Sequence, residues 1–385
     1  MLEPNEIIYL DNNATTQLDP AVLEEMRPFL EKFYGNPSSG YQFGAQVREA
    51  VELARDRVAT LLGCLPNEII FTGCGTESNN TALNAALQLD PARQHIVTST
   101  VEHSAINKHC EQLVRRGCAV TNLAVDENGN LDLDEFENAI QPDTAIVSLM
   151  WANNETGVLF PIEKLAEIAH RKRTLFHTDA IQAVGKIPIR LAETKINFLS
   201  LSGHKLHAPK GVGALYLNRR AAFRPTLFGG SQENGRRAGT ENVASIVGLG
   251  KAAERAAEEL ADEQTRIRAM RDRFEEAILA TVPESYVNGD RKARLPNTSS
   301  LSFAGIESDA ALVMLDQQNL CCSAGSACRT GSLEVSHVLR AMNLAPERLR
   351  GSLRFSFGRF NTEADLEKAL AIVPRVIAKL RAMSP

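Results

Sequence analysis

Short apolar runs alternate with helical patterns between about residue 20 and residue 215, and this alternation limits the fold more than any other feature. The segments between the runs repeat apolar residues at helical spacing. A series of strand, helix and strand favours a mostly parallel sheet with helices on both faces. We therefore predict an α/β fold. The predicted strands are residues 68–71, 95–98, 119–125, 145–150, 175–178 and 197–201, residues 211–218 could return as an antiparallel strand, and the predicted helices include residues 76–88, 104–116 and 162–171.

The rhythm of the sequence changes after this region. A long helical pattern rich in Ala, Glu and Arg covers residues 251–280, and separate strands are predicted at residues 300–303 and 352–357. This change places a domain boundary near residue 258. The predicted domains are a large one of residues 15–257 and a small α+β one of residues 1–14 and 258–385.

Size and charge limit the partners of the chain. It has 385 residues and a formal net charge of −5, which gives no electrostatic reason to expect a nucleic-acid or membrane partner. No apolar run is long enough to span a bilayer, and the first residues lack the basic start and apolar core of a signal peptide. We therefore expect a cytoplasmic protein.

The cysteines do not form a metal-binding pattern. There are seven, an odd number, and no C-x-x-C pair occurs, so a closed structural zinc site is not expected. In a reducing compartment most of them should be small buried hydrophobic residues. They are Cys64, Cys74, Cys110, Cys118, Cys321, Cys322 and Cys328.

Polar residues follow the predicted strands where each strand ends. A glycine-rich turn follows the first strand, His103 follows the second, Asn153 the fourth, Asp179 the fifth and Lys205 the sixth. In open parallel sheets, ligands bind beyond the carboxyl ends of the strands. These residues should therefore lie at one edge of the sheet and form a site.

Each of these residues has an ordinary interpretation when it is taken alone. Lys205, in SLSGHKLHAPKGVG, could be a solvated lysine at a strand end; Asp179 could cap a helix and His103 could be a packed side chain. A desolvated lysine, however, has a lowered pKa, and its neutral amine is a nucleophile toward carbonyls. Pyridoxal phosphate needs such a lysine, a carboxylate for its ring nitrogen and a phosphate cup. The combination fits this cofactor.

Longer motifs carry a family resemblance over nearly the whole chain. The sequence resembles the cysteine desulfurase family of fold-type I pyridoxal-phosphate enzymes, in the class V aminotransferase superfamily. The resemblance implies a large domain with a mostly parallel seven-stranded sheet and a smaller domain. The matching motifs are YLDNNATT, GNPSS, TGCGTES, EHSAI, MWANNETG, HTDAIQAVGK, SLSGHKLHAPKGVG, GRRAGTEN, GSACRTGSLEVSH and RFSFGRF.

The resemblance implies a cofactor-binding or catalytic role for each matching position. Lys205 would bind the cofactor covalently and move protons at the substrate Cα. Asp179 would hold the ring nitrogen, Gln182 the ring hydroxyl, and His103 would stack on the ring with an acid–base role. The phosphate would be bound by Gly75, Thr76, Ser202 and His204, together with Thr240 of a neighbouring subunit, which implies a homodimer.

The same resemblance implies the substrate and the reaction. Asn153, also a cofactor-site residue, and Arg354 would hold the carboxylate of L-cysteine, since a bidentate guanidinium suits that task. Cys328, in a loop at about residues 321–333, would be the nucleophile that takes the substrate sulfur as a persulfide and releases L-alanine. An iron–sulfur scaffold protein would accept this sulfur, and Cys328 could bind a transient iron–sulfur species. MWANNETG and GRRAGTEN favour the nitrogenase-associated branch of the family.

The sequence departs from the family pattern near the nucleophile. Ala324 replaces a hydroxyl residue, and Arg329 follows the nucleophile where a small hydroxyl residue is commoner. Cys321 and Cys322 stand where thiols are uncommon, and they could relay sulfur or simply pack in the core.

Two other functions stay open on sequence alone. An aminotransferase or another lyase of this fold would keep the lysine, aspartate and arginine but would not need Cys328. A non-catalytic interaction protein could keep the fold without the chemistry, although every expected polar position is occupied. A Cys328→Ala variant separates the first rival from a desulfurase, and a colourless protein with added cofactor would favour the second.

Overall fold

The computed structural model describes residues 6–324 and 335–383. The strands are β1 (Ile8–Tyr9), β2 (Ile69–Thr72), β3 (His95–Ser99), β4 (Ala119–Leu123), β5 (Thr144–Met150), β6 (Leu175–Asp179), β7 (Phe198–Ser202), β8 (Gly213–Leu217), β9 (Ser285–Val287), β10 (Thr298–Phe303), β11 (Leu320–Cys321) and β12 (Ser352–Ser356). The α-helices are α1 (Pro20–Glu31), α2 (Gln42–Leu62), α3 (Gly75–Leu87), α4 (Ser104–Arg115), α5 (Leu133–Ala139), α6 (Ile162–Arg171), α7 (Val243–Asp262), α8 (Arg268–Thr281), α9 (Ser308–Asp316), α10 (His337–Ala341), α11 (Pro346–Arg350) and α12 (Glu363–Met383).

The central sheet has seven strands in the order β2-β8-β7-β6-β5-β3-β4. Strand β8 runs antiparallel to both of its neighbours, and the pairs among the remaining strands are parallel. All seven residues of β5 are buried, as expected for a strand that is covered on both faces. The predicted α/β fold and the antiparallel return of residues 211–218 are therefore confirmed.

Helices pack closely against this sheet and against each other. Helices α2 and α7 approach so tightly that a Cβ on Gly250 would lie 2.5 Å from Cα of Ala54. Glycine at this position lets the two helix backbones touch, and a larger residue would push them apart. Both helices contribute buried side chains to the hydrophobic core that also contains the central strands.

A second hydrophobic core lies in the C-terminal part of the chain. It packs α8 and α12 against a three-stranded antiparallel sheet in the order β12-β10-β9. The ring of Phe274 lies 4.8 Å from that of Phe355 and 5.6 Å from that of Phe357, measured between centroids. Helices α7 and α8 join through a π-helical turn (Glu263–Ile267), so the proposed domain boundary near residue 258 falls within a continuous helical segment.

The described residues also bear on membrane association. Among residues 6–324 and 335–383, no helix has the length and apolar character needed to cross a bilayer.

Candidate active site

The ends of β6 and β7 bring the predicted aspartate and lysine to one edge of the sheet. These strands are parallel neighbours, and Asp179, the last residue of β6, pairs in register with Ser200. Strand β7 ends at Ser202, and a 3-10 turn (Gly203–Lys205) carries the lysine directly beyond it. His103 follows β3 and caps the N-terminus of α4. Burial raises the pKa of Asp179, while His103 and Lys205 act electrostatically to lower it, so the three groups lie in one electrostatic environment.

Asp179 is a buried carboxylate in a polar environment. Its side-chain oxygens accept hydrogen bonds from Nδ2 of Asn79 at 2.7 Å and from the backbone N–H of Ile181 at 3.1 Å. Burial raises the pKa of Asp179, and this is the largest of the effects on it. A carboxylate in this position gains from a cationic partner, which is what a protonated ring nitrogen supplies.

Lys205 is held by backbone carbonyl groups. Its Nζ donates to the carbonyl oxygen of Asn13 and, at 2.6 Å, to that of Ala14. Both acceptors belong to residues 11–16, which we call the N-terminal strap. Sequence analysis matched this segment to the family but gave it no function.

The N-terminal strap also binds the turn that carries the lysine. The backbone N–H and the Oγ1 hydroxyl of Thr16 both donate to the carbonyl oxygen of His204, at 2.9 and 3.0 Å. Nδ1 of His204 lies 3.1 Å from Oγ1 of Thr15. Burial lowers the pKa of His204 to about 4, so its imidazole is neutral at pH 7. A neutral imidazole can still donate a hydrogen bond to a phosphate.

The first turn of α3 provides an anion site. Its N-cap residue, Cys74, makes no side-chain hydrogen bond to the helix, so the backbone N–H groups of Gly75 and Thr76 lack a side-chain cap. Such a helix start favours a bound phosphate. A Cβ on Gly75 would lie 2.2 Å from Cδ1 of Ile181 and 3.3 Å from Cβ of Ser202, so a larger residue would force the side chain of Ile181 to move.

Glu77 and Arg237 fix the loop before this helix. The carboxylate of Glu77 accepts a hydrogen bond from the backbone N–H of Gly73 at 2.8 Å and pairs with Nε of Arg237 at 2.8 Å. This brings the loop that carries Thr240 next to the phosphate turn, and Thr240 itself is exposed. An exposed position is compatible with the predicted contribution to a second subunit.

The site therefore meets the three requirements of pyridoxal phosphate. The carboxylate of Asp179 can face the ring nitrogen, the amine of Lys205 can reach the aldehyde, and the uncapped start of α3 with Ser202 can hold the phosphate. Gln182, buried beside the lysine, donates from Nε2 to the carbonyl oxygen of Asn13 at 2.9 Å.

The two consecutive asparagines of MWANNETG have different surroundings. Oδ1 of Asn153 accepts from the backbone N–H groups of Glu155 and Thr156, and its Nδ2 donates to the carbonyl oxygen of Val101 at 3.1 Å. These bonds use Asn153 to shape its own turn. Asn154, in contrast, lines a cavity of about 540 Å³ together with His103. The predicted ligand contact of Asn153 stays a prediction, and the cavity that Asn154 lines lies on the α4 side of His103, without Lys205 or Asp179 among its lining residues.

Arg354, the predicted substrate-carboxylate residue, is 2% exposed. Its guanidinium pairs with Asp11 at 2.6 Å and donates to the carbonyl oxygen of Asn154 at 2.8 Å. The other oxygen of Asp11 accepts from Oγ of Ser323 at 2.9 Å. The N-terminal strap thus connects Arg354 to the segment that leads toward the predicted nucleophile.

The predicted nucleophile, Cys328, lies outside the described residues, as does most of its predicted loop. Where the described chain resumes, Nε2 of His337 lies 2.9 Å from the carbonyl oxygen of Glu102, beside His103. Burial raises the pKa of the thiols of Cys321 and Cys322, which favours a packing function over sulfur relay. Within residues 6–324 and 335–383, no three His, Cys, Asp or Glu side chains cluster as metal ligands would.

Sequence analysis missed several residues that support the site. Glu102 precedes His103 in EHSAI, is fully buried, and accepts from Oγ of Ser99 at 2.7 Å and from the backbone N–H of Met150 at 3.0 Å. Burial raises the pKa of Glu102 to about 8. Asn79 was also missed, although its position one turn into α3, behind the phosphate turn, could have indicated it.

Comparison with known proteins identifies the family. The model of the aminotransferase class-V family matches residues 8–369. Cysteine desulfurase 2 of Trichormus variabilis is 54% identical over 379 residues, which cover 98% of this chain and 95% of that protein. Among solved structures, a NifS-like protein has a TM-score of 0.91 at 35% identity, covering 97% of this chain and 100% of its own. SspA in complex with cysteine has a TM-score of 0.81 at 33% identity, covering 92% and 99%. The chain therefore belongs to the class-V aminotransferase family, a family that uses pyridoxal phosphate, and lies among relatives named cysteine desulfurase.

Proposed function

We propose that this protein is a pyridoxal-phosphate-dependent cysteine desulfurase that converts L-cysteine to L-alanine and transfers the sulfur to its own Cys328. The observation that carries the proposal is the position of Lys205 and buried Asp179 at the ends of two adjacent parallel strands. The 54% identity to a cysteine desulfurase over nearly the full length supports the choice of reaction.

The side chains around the cofactor have separate tasks. When bound, pyridoxal phosphate supplies an electron sink for the carbanion at the substrate Cα. Asp179 keeps the ring nitrogen protonated, and Lys205 removes and returns the Cα proton. Nδ1 of His103 accepts from the backbone N–H of Ala105 at 3.1 Å, so its neutral ring carries the proton on Nε2. We assign the acid–base function of His103 to that nitrogen.

Sulfur transfer uses the thiolate of Cys328 as the nucleophile. Its Sγ forms a bond to the sulfur of L-cysteine while the bond from that sulfur to the substrate Cβ breaks. The electron pair of the broken bond stays with the carbon skeleton, which gains protons and leaves as L-alanine. The product on the enzyme is a Cys328 persulfide, and no external oxidant or reductant is required.

Substrate binding is assigned to Arg354 with the asparagine pair. A guanidinium can exchange one of its contacts for a substrate carboxylate, and Arg354 is already oriented by Asp11. Of the two amides, we assign the contact to Asn154, whose backbone carbonyl oxygen accepts from the guanidinium of Arg354, and retain Asn153 as the residue that forms the turn.

A homodimer completes the phosphate site in this proposal. Tyr34, Tyr41 and Phe228 expose 82%, 56% and 79% of their surface, which is unusual for large apolar side chains. Covering them with a second copy would bring an exposed Thr240 toward a partner phosphate. A Phe228→Asp variant should dissociate in analytical ultracentrifugation and bind the cofactor more weakly, whereas a dimer that persists would contradict this surface.

The destination of the sulfur is the last part of the proposal. We propose an iron–sulfur scaffold protein as the acceptor, a transient iron–sulfur species on Cys328, and an association with nitrogen fixation. The similarity to a NifS-like protein supports this branch. The six cysteines of the described residues are free thiols, which agrees with the reducing cytoplasm proposed as the location.

Cysteine turnover with a matched thiol control tests the proposal. Alanine and enzyme-bound persulfide are measured together for the wild type, Cys328→Ala and Cys321→Ala. We expect Cys328→Ala to lose both products by at least about a thousandfold while it keeps the coloured cofactor. Cys321→Ala should stay near wild type because burial raises the pKa of that thiol. Normal alanine release by Cys328→Ala, or a requirement for a keto acid, would contradict a desulfurase.

A further inference from the structure

A buried lysine that the proposed mechanism does not use lies in the segment of chain that connects β6 to β7. Lys186 is 6% exposed and follows Gly185, which has a φ of +76°. A Cβ on Gly185 would lie 2.3 Å from Cδ1 of Leu206, so the turn that places the lysine requires glycine. Lysine is almost never this buried without a partner. Its contacts should therefore show its function.

The ammonium group of Lys186 binds the predicted cofactor residue Gln182. Its Nζ donates to Oε1 of Gln182 at 3.0 Å and to the carbonyl oxygen of the same residue at 3.2 Å. At the other end of the amide, Nε2 donates to the carbonyl oxygen of Asn13, which also accepts from Lys205. Hydrogen bonds thus connect Lys186 to the cofactor-binding lysine through one amide and one carbonyl.

These two contacts determine which way the amide of Gln182 faces. An ammonium group has no acceptor, so the amide oxygen must face Lys186. A carbonyl oxygen has no donor, so the amide nitrogen must face Asn13. One of the two N–H groups binds Asn13, and one N–H remains for a ligand. Gln182 can therefore only donate to a group in the site.

Lys186 remains mainly an ammonium group at pH 7, because its pKa is lowered only to about 8. Burial lowers the pKa of Lys186 and Arg354 lowers it further, while Glu263, itself buried in the π-helical turn, counteracts both. His204 and His207 are neutral at pH 7 because burial lowers their pKa to about 4 and about 3. The other charged groups lining the cavity of about 10 Å³ beside Lys186 are Lys205 and Arg359.

We propose that Lys186 is a positioning residue that holds Gln182 so that its remaining N–H is donated to the ring hydroxyl of pyridoxal phosphate. This inference rests on the proposed function and on the predicted position of Gln182. An N–H donor stabilises negative charge on the ring oxygen. That oxygen then gives less stabilisation to the proton on the nitrogen linking Lys205 to the cofactor, so this proton is lost at lower pH.

The test follows the visible absorption band of the holoenzyme as a function of pH. In Lys186→Met the linking nitrogen should titrate about one pH unit higher than in the wild type, since one net hydrogen bond is lost. Gln182→Met should show a similar shift, and the double variant should shift no further than Gln182→Met alone. Lys186→Arg, which retains a donor-only cation, should titrate close to wild type. Lys195→Met is the control, because this exposed lysine loses the same charge.

The outcomes separate this inference from the proposed function. Non-additive shifts with rescue by Lys186→Arg support the inference. Additive shifts, or an unshifted Lys186→Met, overturn it while leaving the proposed function intact. A wild type without a visible band would overturn both. If Lys186→Met does not fold, Lys186→Gln provides the same comparison, because its amide can accept as well as donate and so releases the constraint on Gln182.

Discussion

The sheet edge and the N-terminal strap build the same site in different ways. The sheet edge supplies side chains, with Asp179 and Lys205 placed by parallel strands that end together. The N-terminal strap supplies mainly backbone carbonyl groups, of which that of Asn13 accepts from both Lys205 and Gln182. Chemistry is therefore concentrated on the sheet edge, and geometry is fixed by the strap.

The two regions also differ in what their charges do for stability. Burial raises the pKa of Asp179, so its ionised form opposes folding until a cationic ligand arrives. Asp11 of the strap is instead paired with Arg354 at 2.6 Å and accepts from Ser323. We infer that the sheet edge gives up stability for function, whereas the strap contributes stability.

The largest expected effect is that of Asp179→Asn. The neutral amide cannot keep the ring nitrogen protonated, so we expect kcat to fall by about a hundred- to a thousandfold. The free energy of unfolding of the cofactor-free protein should not fall, because a costly buried charge is removed. Steady-state kinetics and urea unfolding of the same preparation measure the two effects. A variant that keeps its kcat but loses free energy of unfolding would contradict the proposed difference between the sheet edge and the N-terminal strap.

Asp11→Asn should have the opposite pattern. It leaves the guanidinium of Arg354 buried without its counter-ion, which should cost about 3 kcal/mol of unfolding free energy. Asn still accepts a hydrogen bond from Ser323, so the loss reports mainly on the ion pair. Urea unfolding with Asp56→Asn as an exposed control measures this effect. An unchanged free energy of unfolding would mean that the N-terminal strap does not connect the second hydrophobic core to the site.

The last prediction concerns pH and the buried carboxyl group of Glu102, whose effect grows gradually with each pH unit. Its pKa is raised from 4.5 to about 8, so the folded state binds a proton that the unfolded state has lost between these values. Its contribution to stability is complete below pH 4.5 and is lost as the pH rises through about 8. Relative to Glu102→Gln, the wild type should lose up to about 1.4 kcal/mol of unfolding free energy per pH unit between pH 5 and pH 8. If the unfolding free energies of the wild type and of Glu102→Gln change with pH in the same way across this range, Glu102 does not carry a buried proton.

Sequence patterns predicted the sheet edge well and the N-terminal strap poorly. Alternating apolar runs fix where parallel strands end, so the order of strands and polar residues was enough to place Asp179 and Lys205 together. The strap acts through the carbonyl groups of Asn13 and Ala14, which every residue type possesses, so no side chain indicates this function. Gly75 and Gly185 each required a neighbour from a distant part of the chain to explain them.

Sequence reasoning also could not separate residues of the same type whose surroundings differ in the fold. Asn153 and Asn154 are adjacent and identical in type, and only the turn geometry shows that the first binds its own backbone while the second lines the cavity. Lys186 resembles an ordinary surface lysine in the sequence. Its burial follows from the π-helical turn that brings Glu263 toward it, which no local pattern predicts.

The most direct measurement is chemical trapping of the lysine that binds the cofactor. The protein is saturated with pyridoxal phosphate, reduced with borohydride, digested and analysed by mass spectrometry. The account predicts one stoichiometric adduct, on Lys205, and none on buried Lys186. A stoichiometric adduct on another lysine, or a coloured protein in which Lys205 remains unmodified, would contradict it.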